Sequence, residues 1–449
     1  MTGVVVVGGG VGGLVAAHDL ARAGASVTVL ERSDRFGGQL EAVELAGRTV
    51  DLGAESFATR DGVVAALLAD LDLTGEVVAP LDRPAWVHDA ASGRAYPLPA
   101  AGVLGIPVHP RLALRALGVL GVARAACDAV LPRTGVPPGA SVGDVVARRM
   151  GARVRDRLVD PVVRGVYSTA AADLALTTAS PALARELAAG RTLAGAAARV
   201  RAASPAGSQV AGLRGGTTVL VRALVAAIAA HGGVLRTGVE VTGVDADGVS
   251  TRRADGAAEH VAADHVVVAV PGLLSRATTE RRITVVAAAV RAPGLDAHPR
   301  GTGVLVARSG LRDGASAGAD DVGGVGARAL THSSAKWSWL APRDGVHLVR
   351  LSYDAGPADG DDGTPTRAQV THDVRVLTGV RDAVVGETAT RTWTRTIAVD
   401  LLPTTGATTV PATLVGEAAG RTGLAAVVAH ARSGVATLLT RPTTQGAPS

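Results

Sequence analysis

The chain has 449 residues, a length typical of two or three domains, and 47% of them are hydrophobic against 19% charged. This composition supports a large buried core and excludes a wholly disordered protein. The net charge is only +5, and the basic residues are spread along the chain, so no charged surface for nucleic acid is indicated.

Two residue types are scarce. Four Trp, three Tyr and two Phe supply few aromatic rings, so Ala, Val and Leu must fill the core. Lys336 is the only lysine among 45 basic residues. Cys127 is the only cysteine, which excludes a disulfide framework and a cysteine-rich metal site and indicates a reducing cytoplasm. The histidines have no metal-ligand spacing, so we expect no metal.

The chain starts with a pattern typical of nucleotide-binding folds. Residues 1–18 carry no charged side chain, but the run is interrupted by glycines, which indicates a buried strand and a phosphate loop rather than an export signal. Valines at 4–7 predict the strand, residues 14–21 a helix ending at Gly24, and residues 26–30 a second strand. Such a βαβ unit has parallel strands. No other stretch offers the ~20 apolar residues of a membrane span.

Further along, the pattern changes twice. Residues 61–205 are rich in predicted helix, and residues 212–264 return to the βαβ pattern with a helix at 219–231 and strands at 234–235 and 239–241. A buried strand is predicted at 265–270, further strands at 302–306 and 347–353, and loops at 309–328 and 354–366. We therefore predict a discontinuous nucleotide-binding domain over 1–60, 206–275 and 396–440. Residues 61–205 and 276–395 form a helical part and a sheet of an inserted domain, and 441–449 form a tail.

The glycine loop has the G-x-G-x-x-G spacing at Gly8, Gly10 and Gly13. These glycines permit a tight turn, close approach of backbone to a pyrophosphate, and close helix–strand packing, and the following helix directs free N–H groups at the phosphates. Glu31 follows at the distance expected of a ribose-binding carboxylate. The alternative for Glu31 is an ordinary surface acid beside Arg32.

Additional glycines favour a cofactor larger than NAD. Gly37 and Gly38 follow Glu31 closely, and the segment 51–57 (Asp-Leu-Gly-Ala-Glu-Ser-Phe) supplies a further glycine. A long cofactor lying along the backbone explains both, and two ordinary turns are the alternative.

On these residues the chain resembles the FAD-dependent flavin oxidases of the monoamine oxidase and protoporphyrinogen oxidase superfamily, and more narrowly the bacterial protoporphyrinogen/coproporphyrinogen III oxidases. The segments 98–107, 141–167, 213–216, 329–337 and 348–352 carry the resemblance. Of these, 141–167 and 329–337 are specific. The segment 141–167 resembles the helical-domain signature of the family, and 329–337 and 348–352 look like its substrate-domain strands. The resemblance implies an α/β fold, with a discontinuous Rossmann-like FAD-binding domain and an inserted substrate domain made of a mixed sheet and a helical subdomain.

The resemblance also implies which residues contact FAD. The pyrophosphate would lie on Gly8, Gly9, Gly10, Val11, Gly12 and Gly13, and the adenosine ribose on Glu31 and Arg32. The other implied contacts are Gln39, Gly53, Ala54, Glu55 and Ser56 on the flavin side, Val241 at the adenine, and Trp393, Thr422, Gly423 and Leu424.

Three positions depart from the family pattern near the expected flavin ring. Residues 402–406 lack the usual aromatic and histidine, and Thr422 and Thr169 stand where glycine is usual. A threonine forced to positive φ would cost on the order of 1 kcal/mol or more.

The implied activity is oxidation of a porphyrinogen, coproporphyrinogen III or protoporphyrinogen IX, with dioxygen as acceptor and hydrogen peroxide as product, in haem biosynthesis. The alternatives are a related oxidase or desaturase for an amine or polyene, and a non-catalytic FAD-binding homologue.

No catalytic residue is identified by the sequence, and Lys336 beside Trp337 is the candidate, with a packed structural lysine as the alternative. Arg164 and Arg350 could bind substrate carboxylates or be ordinary surface arginines. The apolar stretch 98–120 is compatible with a helical core, with an apolar entrance to the substrate site or with a surface that contacts a membrane.

Overall fold

The computed structural model describes residues 3–59, 61–99, 102–133, 135–167, 169–203, 210–274, 278–307, 324–355, 364–398 and 411–440. The strands in these ranges are, in chain order, β1 (Gly3–Val7), β2 (Ser26–Leu30), β3 (Ala42–Leu45), β4 (Arg48–Asp51), β5 (Phe57–Ala58), β6 (Val77–Val78), β7 (Ala85–Asp89), β8 (Arg94–Pro97), β9 (Gly102–Val103), β10 (Ile106–Pro107), β11 (Val210–Leu213), β12 (Val234–Arg236), β13 (Val239–Val244), β14 (Gly248–Arg253), β15 (Ala258–Ala262), β16 (His265–Val268), β17 (Thr278–Arg291), β18 (Gly303–Ala307), β19 (Ala329–Thr331), β20 (Val346–Asp354), β21 (Val384–Ala398) and β22 (Ala412–Leu414).

The helices in the same ranges are α1 (Val11–Arg22), α2 (Val63–Asp70), α3 (Leu114–Ala126), α4 (Val142–Met150), α5 (Ala152–Val154), α6 (Asp160–Tyr167), α7 (Leu176–Ala179), α8 (Pro181–Ala188), α9 (Leu193–Ala202), α10 (Thr218–Ala230), α11 (Ser333–Lys336), α12 (Arg367–Thr378) and α13 (Leu424–Thr440). A π-helical turn over Arg155–Val159 joins α5 to α6.

A five-stranded parallel sheet, in the order β12-β2-β1-β16-β22, organises the nucleotide-binding part. β1 is a continuous run of valines because both faces of a parallel sheet are covered, and residues 4–7 are at most 3% exposed. Helices α1, α10 and α13 share one hydrophobic core with this sheet. The predicted βαβ unit, the helix predicted at 219–231 and the strands predicted at 234–235 and 239–241 are confirmed, and the strand predicted at 265–270 is present but ends at Val268.

A seven-stranded mixed sheet, in the order β21-β17-β20-β19-β18-β7-β8, forms the second part. Only β18 and β7 run parallel to each other. Two of its strands, β7 and β8, come from the segment expected to be rich in helix. They were missed because they are only five and four residues long and lack a clear apolar alternation. Residues 329–337 were expected to be strand throughout, but β19 ends at Thr331 and the chain turns into α11.

The segment 141–167 folds into α4, α5 and α6. Ser141 begins α4 because its side-chain oxygen accepts a hydrogen bond of 3.0 Å from the N–H of Asp144, which caps the helix. Gly105 lies directly against the π-helical turn: a Cβ there would stand 2.2 Å from the Leu158 carbonyl oxygen. Helices α4 to α9 enclose their own hydrophobic core beside the seven-stranded sheet.

The apolar stretch that ends at residue 120 divides between core and surface. Ala113, Ala116 and Leu117 are buried, whereas Leu112, Leu114, Val119 and Leu120 are 50–77% exposed. The helix α3 breaks at Gly118, whose φ of 69° is open to glycine. The segment is therefore only partly helical core, and its membrane contact stays a prediction.

None of the helices in the described ranges has both the length and the apolar composition needed to cross a membrane. The predicted loop at 309–328 and the loop at 354–366 fall mostly outside the described residues, and the segment 402–406 and the tail 441–449 fall entirely outside them.

Candidate functional site

The glycine loop connects β1 to α1 with the geometry that its spacing predicts. Gly8 has a φ of 101°, and a Cβ on Gly13 would stand 1.9 Å from the Gly8 carbonyl oxygen. The helix and the strand are therefore in direct backbone contact, which only glycine permits. Gly10 is the N-cap of α1, with an extended ψ of 176°.

The N-terminus of α1 presents its backbone donors without a side-chain cap. The first N–H groups of a helix have no partner within the helix, and they carry its positive dipole end. The Cβ position of Gly10 has no neighbour nearer than the Gly38 Cα atom at 4.0 Å, so space remains above the loop. This arrangement is an anion cradle suited to a pyrophosphate.

Glu31 lies at the end of β2, beside the same loop. Its carboxylate accepts hydrogen bonds from the Gly9 N–H at 2.7 Å and from the Ser33 N–H and hydroxyl at 2.9 and 2.7 Å. These bonds fix the Glu31 carboxylate against the glycine loop, and its contact with the ribose stays a prediction. Arg32 is exposed next to it.

Val241 lies on β13, which starts beside Glu31. The Val239 N–H donates to the Glu31 carbonyl at 2.9 Å, and the Gly238 N–H donates to the Ser33 carbonyl at 2.8 Å. The half-buried Val241 follows on that strand.

The second glycine pair packs on the first loop. Gly37 forms a bridge with Gly10, and the Gly37 N–H donates to the Gly9 carbonyl at 2.8 Å. Gly53 continues this surface, since a Cβ there would stand 1.7 Å from the Gln39 carbonyl oxygen. The glycines at 8–13, 37–38 and 53 therefore form one continuous backbone surface, as a long cofactor requires.

Glu55, Lys336 and Arg350 form a largely buried ion cluster that joins the 53–55 loop to the seven-stranded sheet. The Lys336 Nζ atom lies 2.5 Å from one Glu55 carboxylate oxygen, and the Arg350 Nη1 atom lies 2.9 Å from the other. Arg350 also donates to the Gly53 carbonyl at 2.6 Å. Lys336 stacks on Trp337, with 4.8 Å from Nζ to the ring centroid. The cluster fixes the 53–55 loop to β20 and α11.

This cluster shows what Lys336 and Arg350 contact within the protein, and the role of Lys336 in catalysis stays a prediction. Arg350 is 11% exposed and engaged by Glu55, so it is neither a surface arginine nor a free binder of carboxylates. Arg164 is likewise engaged, with its Nε atom 2.6 Å from the Asp160 carboxylate. Lys336 is a packed lysine and at the same time a neighbour of the predicted flavin-side loop.

Asp51 is a second buried carboxylate behind this loop, and the sequence did not indicate a role for it. It accepts hydrogen bonds from the Thr217 N–H and hydroxyl, both at 2.9 Å. Burial raises the pKa of Asp51 to about 6, although Arg350 and the two bonds from Thr217 favour the charged form. The same Thr217 hydroxyl lies 2.8 Å from the Ala54 carbonyl oxygen, and its single proton is donated either to Asp51 or to Ala54. Thr217 therefore links Asp51 to the 53–56 loop.

We expect the ionisation of Asp51 to lower the free energy of unfolding as the pH rises from about 4 to about 6. The folded chain holds a proton there that the unfolded chain releases near pH 3.8, so ionisation costs stability on the order of 2–3 kcal/mol. An Asp51→Asn variant should lose this slope and exceed the parent in urea unfolding at pH 8.

The control for this prediction is Asp72→Asn, an exposed aspartate with a positive φ that asparagine accepts. It should retain the parent's pH profile. An unchanged slope in Asp51→Asn would contradict the assignment.

A C-terminal segment, residues 416–417, contacts the glycine loop on the side of Gly12 and Gln39. The sequence had indicated residues 422–424 of this region but not these two. Gly416 approaches Gly12, with its Cα atom 3.5 Å from the Cβ position of Gly12. The adjacent Glu417 accepts a hydrogen bond of 3.1 Å from the Gln39 amide and lies 3.8 Å from Arg395. Burial raises the pKa of Glu417, with Arg395 and Gln39 opposing. The missed signal is an acid shortly after a strand, Glu417 after β22, as Glu31 comes after β2.

Thr422 and Gly423 are exposed just before α13, and Leu424 begins that helix. Gly423 has a φ of 82°, whereas neither Thr422 nor Thr169 has positive φ. The condition for strain at these two threonines is therefore not met, because the backbone there does not adopt a positive φ.

Trp393 also lies beside the site. Its indole N–H donates to the Leu52 carbonyl at 3.1 Å, and its ring stands between the guanidinium groups of Arg35 and Arg391 at 5.9 and 5.3 Å. The predicted residue is thus brought next to Gly53.

The comparisons with known proteins agree with this geometry. The chain matches the family described as flavin containing amine oxidoreductase over residues 11–291. Coproporphyrinogen III oxidase of Mycobacterium tuberculosis is 34% identical over 360 residues, which cover 78% of this chain and 75% of that protein. The Mycobacterium leprae enzyme of the same name is 32% identical over 366 residues, covering 78% and 76%.

Solved structures show the same fold. A protein described as a putative protoporphyrinogen oxidase from Exiguobacterium superposes with a TM-score of 0.76 at 20% identity, covering 97% of this chain and 98% of that one. Putrescine oxidase bound to putrescine superposes with a TM-score of 0.60 at 13% identity, covering 98% and 99%.

The chain belongs to the flavin-containing amine oxidoreductase family, and FAD is its cofactor. Within that family its resemblance to the coproporphyrinogen III oxidases is confirmed, as is the fold class. The residues present fit FAD because the glycine surface is open, the helix donors are uncapped and Glu31 stands at the end of β2.

Proposed function

We propose that the chain catalyses the oxidation of coproporphyrinogen III to coproporphyrin III, with dioxygen as electron acceptor and hydrogen peroxide as product. Protoporphyrinogen IX is the second substrate of the same class. The overall reaction removes six hydrogens, and three dioxygen molecules take them up as three hydrogen peroxide molecules. We place the reaction in haem biosynthesis in the cytoplasm, where the single cysteine Cys127 would stay reduced.

One observation supports a porphyrinogen as the substrate: relatives named coproporphyrinogen III oxidase align with about three quarters of this chain at 32–34% identity. The aligned length includes more than the nucleotide-binding motif, which many unrelated oxidoreductases share. The putrescine oxidase likeness, at 13% identity, concerns the fold alone and favours no amine substrate.

When bound, FAD supplies a two-electron acceptor for the carbon that loses hydrogen. The residues of the chain would bind and orient the cofactor. The Gly8–Gly13 loop and the α1 donors would hold the pyrophosphate, with Glu31 and Arg32 at the ribose. The remaining positions in this proposal are Gln39, Gly53, Ala54, Glu55, Ser56, Val241, Trp393, Thr422, Gly423 and Leu424.

The Glu55–Lys336–Arg350 cluster would fix the flavin-side loop from the protein side. The two cations outweigh the single carboxylate, so the loop is held without presenting a net negative charge to the cofactor. In this proposal Lys336 is a positioning residue that acts through Glu55.

Purified protein should be yellow and should lose its visible flavin absorbance when coproporphyrinogen III is added without oxygen. Admission of oxygen should restore the absorbance and release one hydrogen peroxide for each pair of hydrogens removed, because dioxygen takes two electrons from the flavin. The measurements are stopped-flow absorbance and a peroxide assay, with porphyrin fluorescence as product signal.

Protoporphyrinogen IX and putrescine serve as comparison substrates. Turnover of putrescine alone would overturn the proposal. A flavin that binds but is reduced by none of these donors would favour the non-catalytic homologue instead.

A further inference from the structure

Helix α12 ends in a cleft that is lined by arginines. Arg300, Arg375 and Arg381 surround a cavity of about 380 Å³, together with Val376 and Gly379. A neighbouring cavity of about 450 Å³ shares Arg375 and adds Arg367 and His372. Both volumes fall in the range of small-molecule pockets.

The positive charge of the first cavity is not compensated by the protein. In the described part of the chain, no ion pair involves Arg300, Arg375 or Arg381, while many other arginines pair with acids. Arg300 stacks on Trp86 at 5.1 Å, and its Nη1 atom is buried without a hydrogen-bond partner in the same described ranges. Burial lowers the pKa of Arg300. Arg300 as a whole is half-buried, but a buried guanidinium nitrogen without an acceptor is costly unless a ligand supplies one.

The end of the helix accounts for only part of this arrangement. The C-terminal carbonyls of α12 carry partial negative charge that attracts arginines, and the Arg375 Nε atom donates to the Ala383 carbonyl at 2.9 Å. That attraction does not require Arg300, which comes from the loop before β18. Gly379, with a φ of 74°, lets Arg300 approach: a Cβ there would stand 3.2 Å from its Nη2 atom.

The cleft is separate from the flavin site. Helix α12 packs on the face of the sheet that bears Val349, because Val349 and the buried residues of α12 belong to the same hydrophobic core. Arg350 follows Val349 in β20 and therefore points to the opposite face, where it meets Glu55. A ligand in the arginine cleft would thus be on the other side of the seven-stranded sheet from the cofactor loop.

We infer that this cleft binds a small polyanion through phosphate or carboxylate groups. The planar guanidinium fork matches both groups bidentately, and three forks around one cavity suit a ligand with at least two anionic groups. Binding would supply the acceptors that Arg300 lacks.

The test is calorimetric titration of the FAD-loaded protein at physiological ionic strength, with inorganic pyrophosphate and citrate as probes. We expect one saturable site for at least one of them. Arg300→Gln and Arg381→Gln should each weaken binding about tenfold or more, because each removes charge-assisted hydrogen bonds. Arg222→Gln, on the exposed face of α10, is the matched control and should leave the affinity within about twofold.

The outcomes separate the ligand classes. Preference for pyrophosphate indicates a phosphate ligand and preference for citrate a polycarboxylate. Arg381 is exposed, so its variant remains informative if Arg300→Gln loses the Trp86 stacking and unfolds. Failure of both probes to saturate the parent, or equal weakening in Arg222→Gln, overturns the inference. Neither result bears on porphyrinogen turnover, which is measured separately.

Discussion

A Gly10→Ala variant is expected to fold as the parent does and to be purified without FAD. A Cβ at Gly10 meets no protein atom nearer than 4.0 Å, and its φ of −71° with ψ of 176° is open to alanine. The added methyl group would instead occupy the space that a pyrophosphate needs over the loop. We expect FAD affinity to fall about 100-fold, equivalent to ~2.7 kcal/mol, by flavin fluorescence titration.

Two further glycines of the same βαβ unit provide control variants for this prediction. Gly24→Asn, just after α1, keeps FAD because its φ of 85° suits asparagine and no atom lies within 4 Å of its Cβ position. Gly13→Ala should instead impair folding itself, because its Cβ would stand 1.9 Å from the Gly8 carbonyl. If Gly10→Ala retained the parent's flavin content with native circular dichroism, the pyrophosphate would not lie on this loop.

The sequence could predict the parts of the site that lie within one βαβ unit. Residues 3–31 contain the strand, the glycines, the helix and Glu31 in fixed order, and local chain geometry brings them together. The resemblance added Gln39, Gly53 and Trp393, which the structure places near that loop, and residues 422–424, whereas the C-terminal contacts found there are those of Gly416 and Glu417. Their contacts with FAD stay a prediction.

The ion cluster could not be predicted from spacing, because Glu55 and Lys336 are 281 residues apart. Lys336 drew attention only through the absence of other lysines, and its partner depends on how α11 meets the 53–55 loop. Asp51 and Glu417 were missed for a related reason: burial, which no local pattern reports, is what perturbs them. The exposed face around Leu120 shows the converse, since apolar residues alone indicate neither core nor surface.

Glu55 is the shared counter-ion of two buried cations, so its charge matters more than that of either partner. Burial alone would raise the pKa of Glu55, but Lys336 and Arg350 outweigh burial and lower it to about 2 from 4.5. The stability gained from this depressed pKa is therefore present above about pH 4.5. It is lost as pH falls through about 2, when the folded carboxylate takes up its proton.

Glu55→Gln should lower the unfolding free energy at pH 7 by about 3–5 kcal/mol, because Lys336 and Arg350 would lose the carboxylate that pairs with both of them at a largely buried position. Urea unfolding followed by circular dichroism measures this, with Glu186→Gln of an exposed ion pair as control. Adding Lys336→Met to Glu55→Gln should recover part of the loss, since one uncompensated cation is removed. A Glu55→Gln variant as stable as the Glu186→Gln control would show that the cluster contributes nothing to folding.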